Sequence, residues 1–175
     1  MQSNSFTISY GCWLACEVAT YDDFEWAPPS MLKKRASTDI PWRYYLATEV
    51  RFEAGVVRPA PDGDGSKPPF GPLHIVTAAQ PDAELDRGEI CARLEVLDLE
   101  LARRGIPSIG VVGSSIDGTH SEESRAISGL TDDEARRLGA RFGQVAIFRW
   151  LGPNWSVLAC QTQRTSHSRW TWERY

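Results

Sequence analysis

Apolar residues recur at helical spacing over residues 84–104, where Ile90, Leu94, Leu97 and Leu101 share one face and Arg87, Glu95, Glu100 and Arg103 occupy the others. The spacing predicts a long amphipathic helix, with Gly105 as its terminator. A second helix is predicted from 132 to 142, because Thr131-Asp132-Asp133-Glu134 has the capping-box pattern, in which side chains satisfy the first free backbone N–H groups. Elsewhere the period shortens. Leu73-His74-Ile75-Val76-Thr77-Ala78-Ala79 is a nearly continuous apolar run ended by Gln80-Pro81, as in a central strand covered on both faces. Residues 144–150 and 155–161 read as two strands joined by the hairpin signal Gly152-Pro153-Asn154. Residues 106–112 read as a short strand leading into a turn or hairpin through Gly113-Ser114-Ser115 and Asp117-Gly118. Residues 42–52, aromatic and β-branched with partial alternation, also read as a strand.

Between these elements, residues 59–72 are rich in Pro, Gly and Asp and predict a flexible loop of unusual length. Residues 6–21 mix aromatic and small side chains without a clean period, so no element is assigned there. Pro28-Pro29 closes that stretch, and Lys33-Lys34-Arg35 reads as a solvated turn or short helix. Helices and strands interleave, yet at least one strand pair is a hairpin. The expected architecture is a single α+β domain over residues 1–175, a mixed, mainly antiparallel sheet with two helices packed on it in two layers.

The chain has 175 residues, 42% of them hydrophobic and 24% charged, which fits one globular domain with a real core. A net charge of -4 argues against a surface that coats nucleic acid or anionic membrane as a whole. No run reaches the roughly 18 apolar residues of a membrane span, and residues 1–5 lack the basic-then-apolar pattern of a leader, so a cytoplasmic protein with no membrane partner is expected. Cys12, Cys16, Cys91 and Cys160 are expected to be reduced. Cys12 and Cys16 would share a helix face, but no second Cys or His pair completes a site, so neither a metal nor a cofactor is expected.

Three sets of residues carry candidate chemistry. His120 and Glu122 supply an imidazole and a carboxylate for general acid–base work, and Gln144 an amide to orient water or a carbonyl. The plainer alternative is that Glu122 caps backbone donors around the preceding turn while Gln144 pairs with a strand edge. The serines near 114–124 lack a nucleophile-elbow context, and His74, inside an apolar strand, reads as a satisfied core histidine. The C-terminal segment 164–175 is basic and aromatic, with Arg164, Arg169, Trp170, Trp172 and Tyr175 as candidate binding residues. In a strand, Trp170 and Trp172 share one face, which suits docking on the domain itself, a protein partner, or stacked bases of a nucleic acid.

Residues 75–147 resemble a bacterial family catalogued as domain of unknown function 3293. The resemblance rests on Ile75-Val76-Thr77-Ala78 followed by Pro81, Arg93 on the long helix, the Gly110 turn, Glu122-x-Ser124, and Phe142-Gly143-Gln144-x-Ala146-Ile147. It implies a small α/β fold and carries no assigned activity. With seven tryptophans and no complete catalytic set, the leading expectation is a binding or accessory module that engages a macromolecular partner through a Trp-rich surface and the tail. A small hydrolase or transferase using Glu122 with His120 or Gln144 is the alternative from another class, and nucleic-acid binding through the tail is a third.

Overall fold

The computed structural model describes residues 19–80 and 85–175. Cys12, Cys16 and most of the unassigned 6–21 stretch lie outside the described residues. A 3-10 turn (Tyr21–Asp23) precedes helices α1 (Pro29–Ala36) and α2 (Asp39–Leu46), strands β1 (Thr48–Phe52), β2 (Gly55–Pro59) and β3 (Leu73–Val76), and the long helix α3 (Arg87–Arg103). Then follow β4 (Ser108–Ser115), β5 (Ser121–Ile127), α4 (Asp132–Arg141), β6 (Ala146–Leu151), β7 (Asn154–Ala159), β8 (Thr165–Ser168) and β9 (Trp170–Arg174).

The nine strands of the described residues join one antiparallel sheet in the order β8-β7-β6-β3-β5-β4-β1-β2-β9. The two outermost strands, β8 and β9, are separated in sequence by Arg169 alone. A single residue cannot span an open sheet of this width, so the sheet curls until its edges meet through one bent segment, giving a nearly closed barrel. This corrects the expected two-layer α+β arrangement with two helices. The fold remains broadly α+β, but it is mainly β, and four helices accompany the sheet among the described residues.

Alternation along the strands sorts two cores. One cluster gathers Val50, Phe52, Val57, Leu73, Ile75, Phe148, Trp150, Trp155, Val157 and Trp170 with Leu32, Ala36 and Trp42 of α1 and α2. The other gathers Val76, Ile127, Ile147 and Leu158 from the opposite strand faces with Leu94, Leu97 and Leu101 of α3 and Ala135 and Leu138 of α4. The first is the barrel interior capped by α1 and α2, and the second is the outer face under α3 and α4. Ala146 and Ala159 pair across β6 and β7 within the interior cluster.

The strand expected over 42–52 is a helix followed by a strand. Trp42 is buried and Tyr45 packs on the interior cluster while Arg43 and Tyr44 are exposed, a spacing of three that helix α2 satisfies. Pro41 falls in the first turn, where its missing N–H costs no intrahelical bond. The loop over 59–72 lies along the closing strand: Ala60 N–H donates to the Arg169 carbonyl (2.8 Å) and Gly65 N–H to that of Trp170 (3.1 Å). A Cβ on Gly65 would fall 2.3 Å from the Trp170 ring, so the close approach requires glycine.

Candidate functional site

The β4–β5 turn is held by Asp117, whose Oδ1 accepts from Ser115 Oγ (2.6 Å), Thr119 Oγ1 (2.8 Å) and Thr119 N–H (3.1 Å). Those donors, the Ser115 hydroxyl first, hold the Asp117 carboxyl down to about 2. Beyond the turn, His120 Nε2 lies 3.7 Å from Glu122 Oε2. The Glu122 carboxylate raises the His120 pKa above the ordinary histidine value against a smaller desolvation penalty. Glu122 stands opposite Gly113 in the ladder, on the face shared with Ser124 and Ala126. A base and its partner are therefore adjacent and open to solvent.

Gln144 is elsewhere in character. It is buried, and its amide nitrogen donates to the Ala79 carbonyl (2.7 Å) and the Phe142 carbonyl (3.1 Å). Both amide protons are used to hold the chain after β3 against the α4–β6 connection. No hydrogen bond or ion pair among the described residues joins it to His120 or Glu122.

The five tail residues separate. Trp170 is buried in the barrel and donates through Nε1 to the Gly152 carbonyl (2.9 Å), and Trp172 packs half-buried against Phe52 and Trp150. Arg164 reaches back to the Ala36 and Thr38 carbonyls (both 3.1 Å) and to Asp39 (2.7 Å), with its guanidinium over the Trp42 ring. Arg169 donates to the Gly63 carbonyl, and Tyr175 is exposed.

Two polar groups lie outside the candidate site residues read from the sequence. Asp132, at the start of α4, bonds His74 Nε2 (2.9 Å) and Arg149 Nη1 (2.6 Å), while Ser156 Oγ pairs with His167 Nδ1 (2.8 Å) beside Arg149. Burial pushes the Asp132 carboxyl up, but the His74 bond and the Arg149 charge outweigh it and the pKa is lowered. His74 is thus a satisfied core histidine. The second group is Arg93, buried on α3 and bonded through Nε to Glu89 (2.9 Å) and through Nη2 to the Glu25 carbonyl (3.0 Å). Its signal was available, since Arg93 stands three after Ile90 and four before Leu97, within the apolar stripe. Among the described residues no group of three His, Cys, Asp or Glu side chains is placed to hold a metal ion. No helix among them is long and apolar enough to cross a membrane.

These features define an α+β domain built on a nearly closed antiparallel sheet, with polar residues buried where helices meet strand ends. Residues 76–147 match the model of the family described as Protein of unknown function (DUF3293), and the resemblance read from the sequence is borne out over that segment. The match runs from the end of β3 to the start of β6 and includes Gln80, Arg93, Glu122 and Gln144. No curated protein and no solved structure matches the chain.

Proposed function

We propose that the chain is a cytoplasmic binding module that engages a protein partner through the exposed face of α1 and α2. The observation that carries this reading is a concentration of exposed apolar side chains. Met31, Ile40 (63% exposed), Tyr44 (72%) and Leu46 all come from these two short helices. Ile40 and Tyr44 stand one turn apart on one helix face. Ile116 joins them, because its N–H bonds the Ala47 carbonyl (3.0 Å) and brings the β4–β5 turn beside the end of α2. Contiguous exposed apolar surface of this kind marks interaction sites. Lys33, Lys34 and Arg43 are exposed on the same helices of a chain whose net charge is -4, so the complementary partner has an apolar centre rimmed by carboxylates. The tail supports this surface: Arg164 pins α1 and α2 in place, while Trp170 and Trp172 face the barrel. That leaves Tyr175 as the tail's exposed ring, which weakens the case for stacking on nucleic acid.

A photo-crosslinking residue in place of Tyr44 tests the reading. A discrete adduct is expected there, lost when Ile40→Lys is added, with none from the same probe in place of exposed Leu151. Equal labelling at both positions would remove α1–α2 as the contact face.

One observation favours a second reading, acid–base catalysis at the solvent-open His120–Glu122 pair. It requires Glu122→Gln to abolish turnover of a small ester or amide panel with an unchanged thermal midpoint. A large loss of stability instead makes Glu122 scaffolding.

A further inference from the structure

Two donors from separate elements converge on one oxygen. Gln80 Nε2 and Arg93 Nη2 both donate to the Glu25 carbonyl, at 2.9 and 3.0 Å. Arg93 is almost wholly buried, its guanidinium carbon 4.4 Å from the Trp26 ring centroid and 4.8 Å from that of Phe24. The two ring centroids are 5.8 Å apart, so both rings lie to one side of the guanidinium, whose N–H groups still need acceptors. Nε and Nη2 have Glu89 Oε1, whereas Nη1 is buried with no hydrogen-bond partner among the described residues. A buried donor left unpaired is costly, more so on a charged group.

A backbone carbonyl offers this fork a single oxygen, while the Nη1–Nη2 edge of an arginine suits two oxygens side by side. We infer that Arg93 and Gln80 form a binding site for the carboxylate or phosphate group of a small ligand. In the unliganded chain the Glu25 carbonyl holds the place of one ligand oxygen. Residues 19–27 then act as a strap over the site. The strap is held mainly by aromatic contacts: Tyr21 stacks on Trp26 (5.1 Å), both rings meet Phe142 edge-on, and Trp26 Nε1 bonds the Tyr21 carbonyl (2.9 Å). Where it begins, a cavity of about 200 Å³ lined by Tyr21, Val96, Leu99 and Phe142 separates it from α3 and gives it room to shift. This site is independent of the α1–α2 contact face, and the two readings stand or fall separately.

The test titrates inorganic phosphate and, separately, acetate against the full chain at constant ionic strength in chloride, reading the Arg93 Nε–H and Gln80 side-chain amide signals by NMR. Saturable shifts at both side chains are expected with at least one oxyanion and none with chloride, and whichever anion binds more tightly identifies the headgroup. Tyr21→Ala removes a strap anchor that stacks on Trp26, meets Phe142 edge-on and bonds neither donor, and it should tighten apparent affinity about tenfold or more, as the competent state becomes populated. Tyr21→Phe, which removes only the hydroxyl bond to the Arg141 carbonyl, serves the same purpose should Tyr21→Ala fail to fold, and Gln80→Ala should weaken binding in either background. Absence of saturable shifts in both wild type and the loosened variant overturns the inference, as does equal affinity in the two.

Discussion

Trp150 and Trp170 meet edge to face, ring centroids 4.9 Å apart and planes at 89°, and this contact ties β6 to the strand that closes the barrel. Because Trp170 also donates to the Gly152 carbonyl and carries Gly65 flat against its ring, it links the closing strand, the β6–β7 turn and the 59–72 loop. Trp170→Ala should cost about 3 to 5 kcal/mol, the range for emptying a large aromatic site. Trp170→Phe, which keeps most of the packing and loses the indole donor, should cost less. Urea denaturation measures both, and equal small losses would mean that the closing strand contributes little.

Helix α4 lies on the sheet through Gly139, where a Cβ would come within 2.6 Å of Ile147 Cγ2 and 2.8 Å of Cys160 Sγ. Alanine is the better helix former, yet Gly139→Ala should destabilise by about 1 to 3 kcal/mol because the interface has no space for a methyl group. A raised thermal midpoint would show that α4 can move off the sheet at small cost. Burial also pushes the Cys160 thiol up to about 12, so slow alkylation of Cys160 in wild type should speed up in this variant.

Local chemistry was legible in the sequence, and closure was not. The capping box of Thr131 and Glu134, the apolar stripe of α3 and the hairpin over Gly152 each depend on residues a few positions apart, and each formed near its predicted place. Helix α2 was misread because Trp42, Tyr44 and Tyr45 favour strands intrinsically, while the deciding term is tertiary: Trp42 donates to Ser166 across 124 residues. The same applies to the tail. Tryptophan serves a core and an interface equally, so the sequence left Trp170 and Trp172 open between docking on the domain and meeting a partner, and the pairing with β2, Pro59 with Trp170 and Val57 with Trp172, depends on residues more than 100 positions away. Within the candidate site, His120 and Glu122 are neighbours in sequence and in space, whereas the convergence of Gln80 and Arg93 on Glu25 depends on three segments meeting.

Glu49 is buried between two arginines, accepting from Arg51 Nε (2.8 Å) and Arg58 Nε (2.6 Å). Burial pushes its carboxyl up, but the bonds and charges of Arg58 and Arg51 outweigh it and lower the pKa. A folded pKa below the unfolded one means the stabilisation is complete above the ordinary glutamate value, about 4.3, and is lost as pH falls through the folded pKa. Glu49→Gln should cost about 1 to 2 kcal/mol at neutral pH, a moderate figure because both arginines are partly exposed and regain water. Its thermal midpoint should converge on that of wild type in acid. Parallel curves down to pH 3 would show that the arginines do not act through the Glu49 charge.

Asp132 serves two roles that a double-mutant cycle separates. In the first turn of α4 its charge favours the helix N-terminus, and it also joins Arg149 and His74 across β6 and β3. Its pKa is lowered, so by the same sign its contribution is present above the ordinary aspartate value and fades as pH falls through the folded pKa. The carboxyl is 38% exposed, and solvent screening limits the expected cost of Asp132→Asn to about 1 kcal/mol. If the Arg149 bond carries that cost, Asp132→Asn and Arg149→Gln together should destabilise by at least about 0.5 kcal/mol less than the sum of the two alone. Strict additivity would assign the whole effect to the helix end, and the polar line from His74 to His167 would then be a set of separate local bonds with no shared energy.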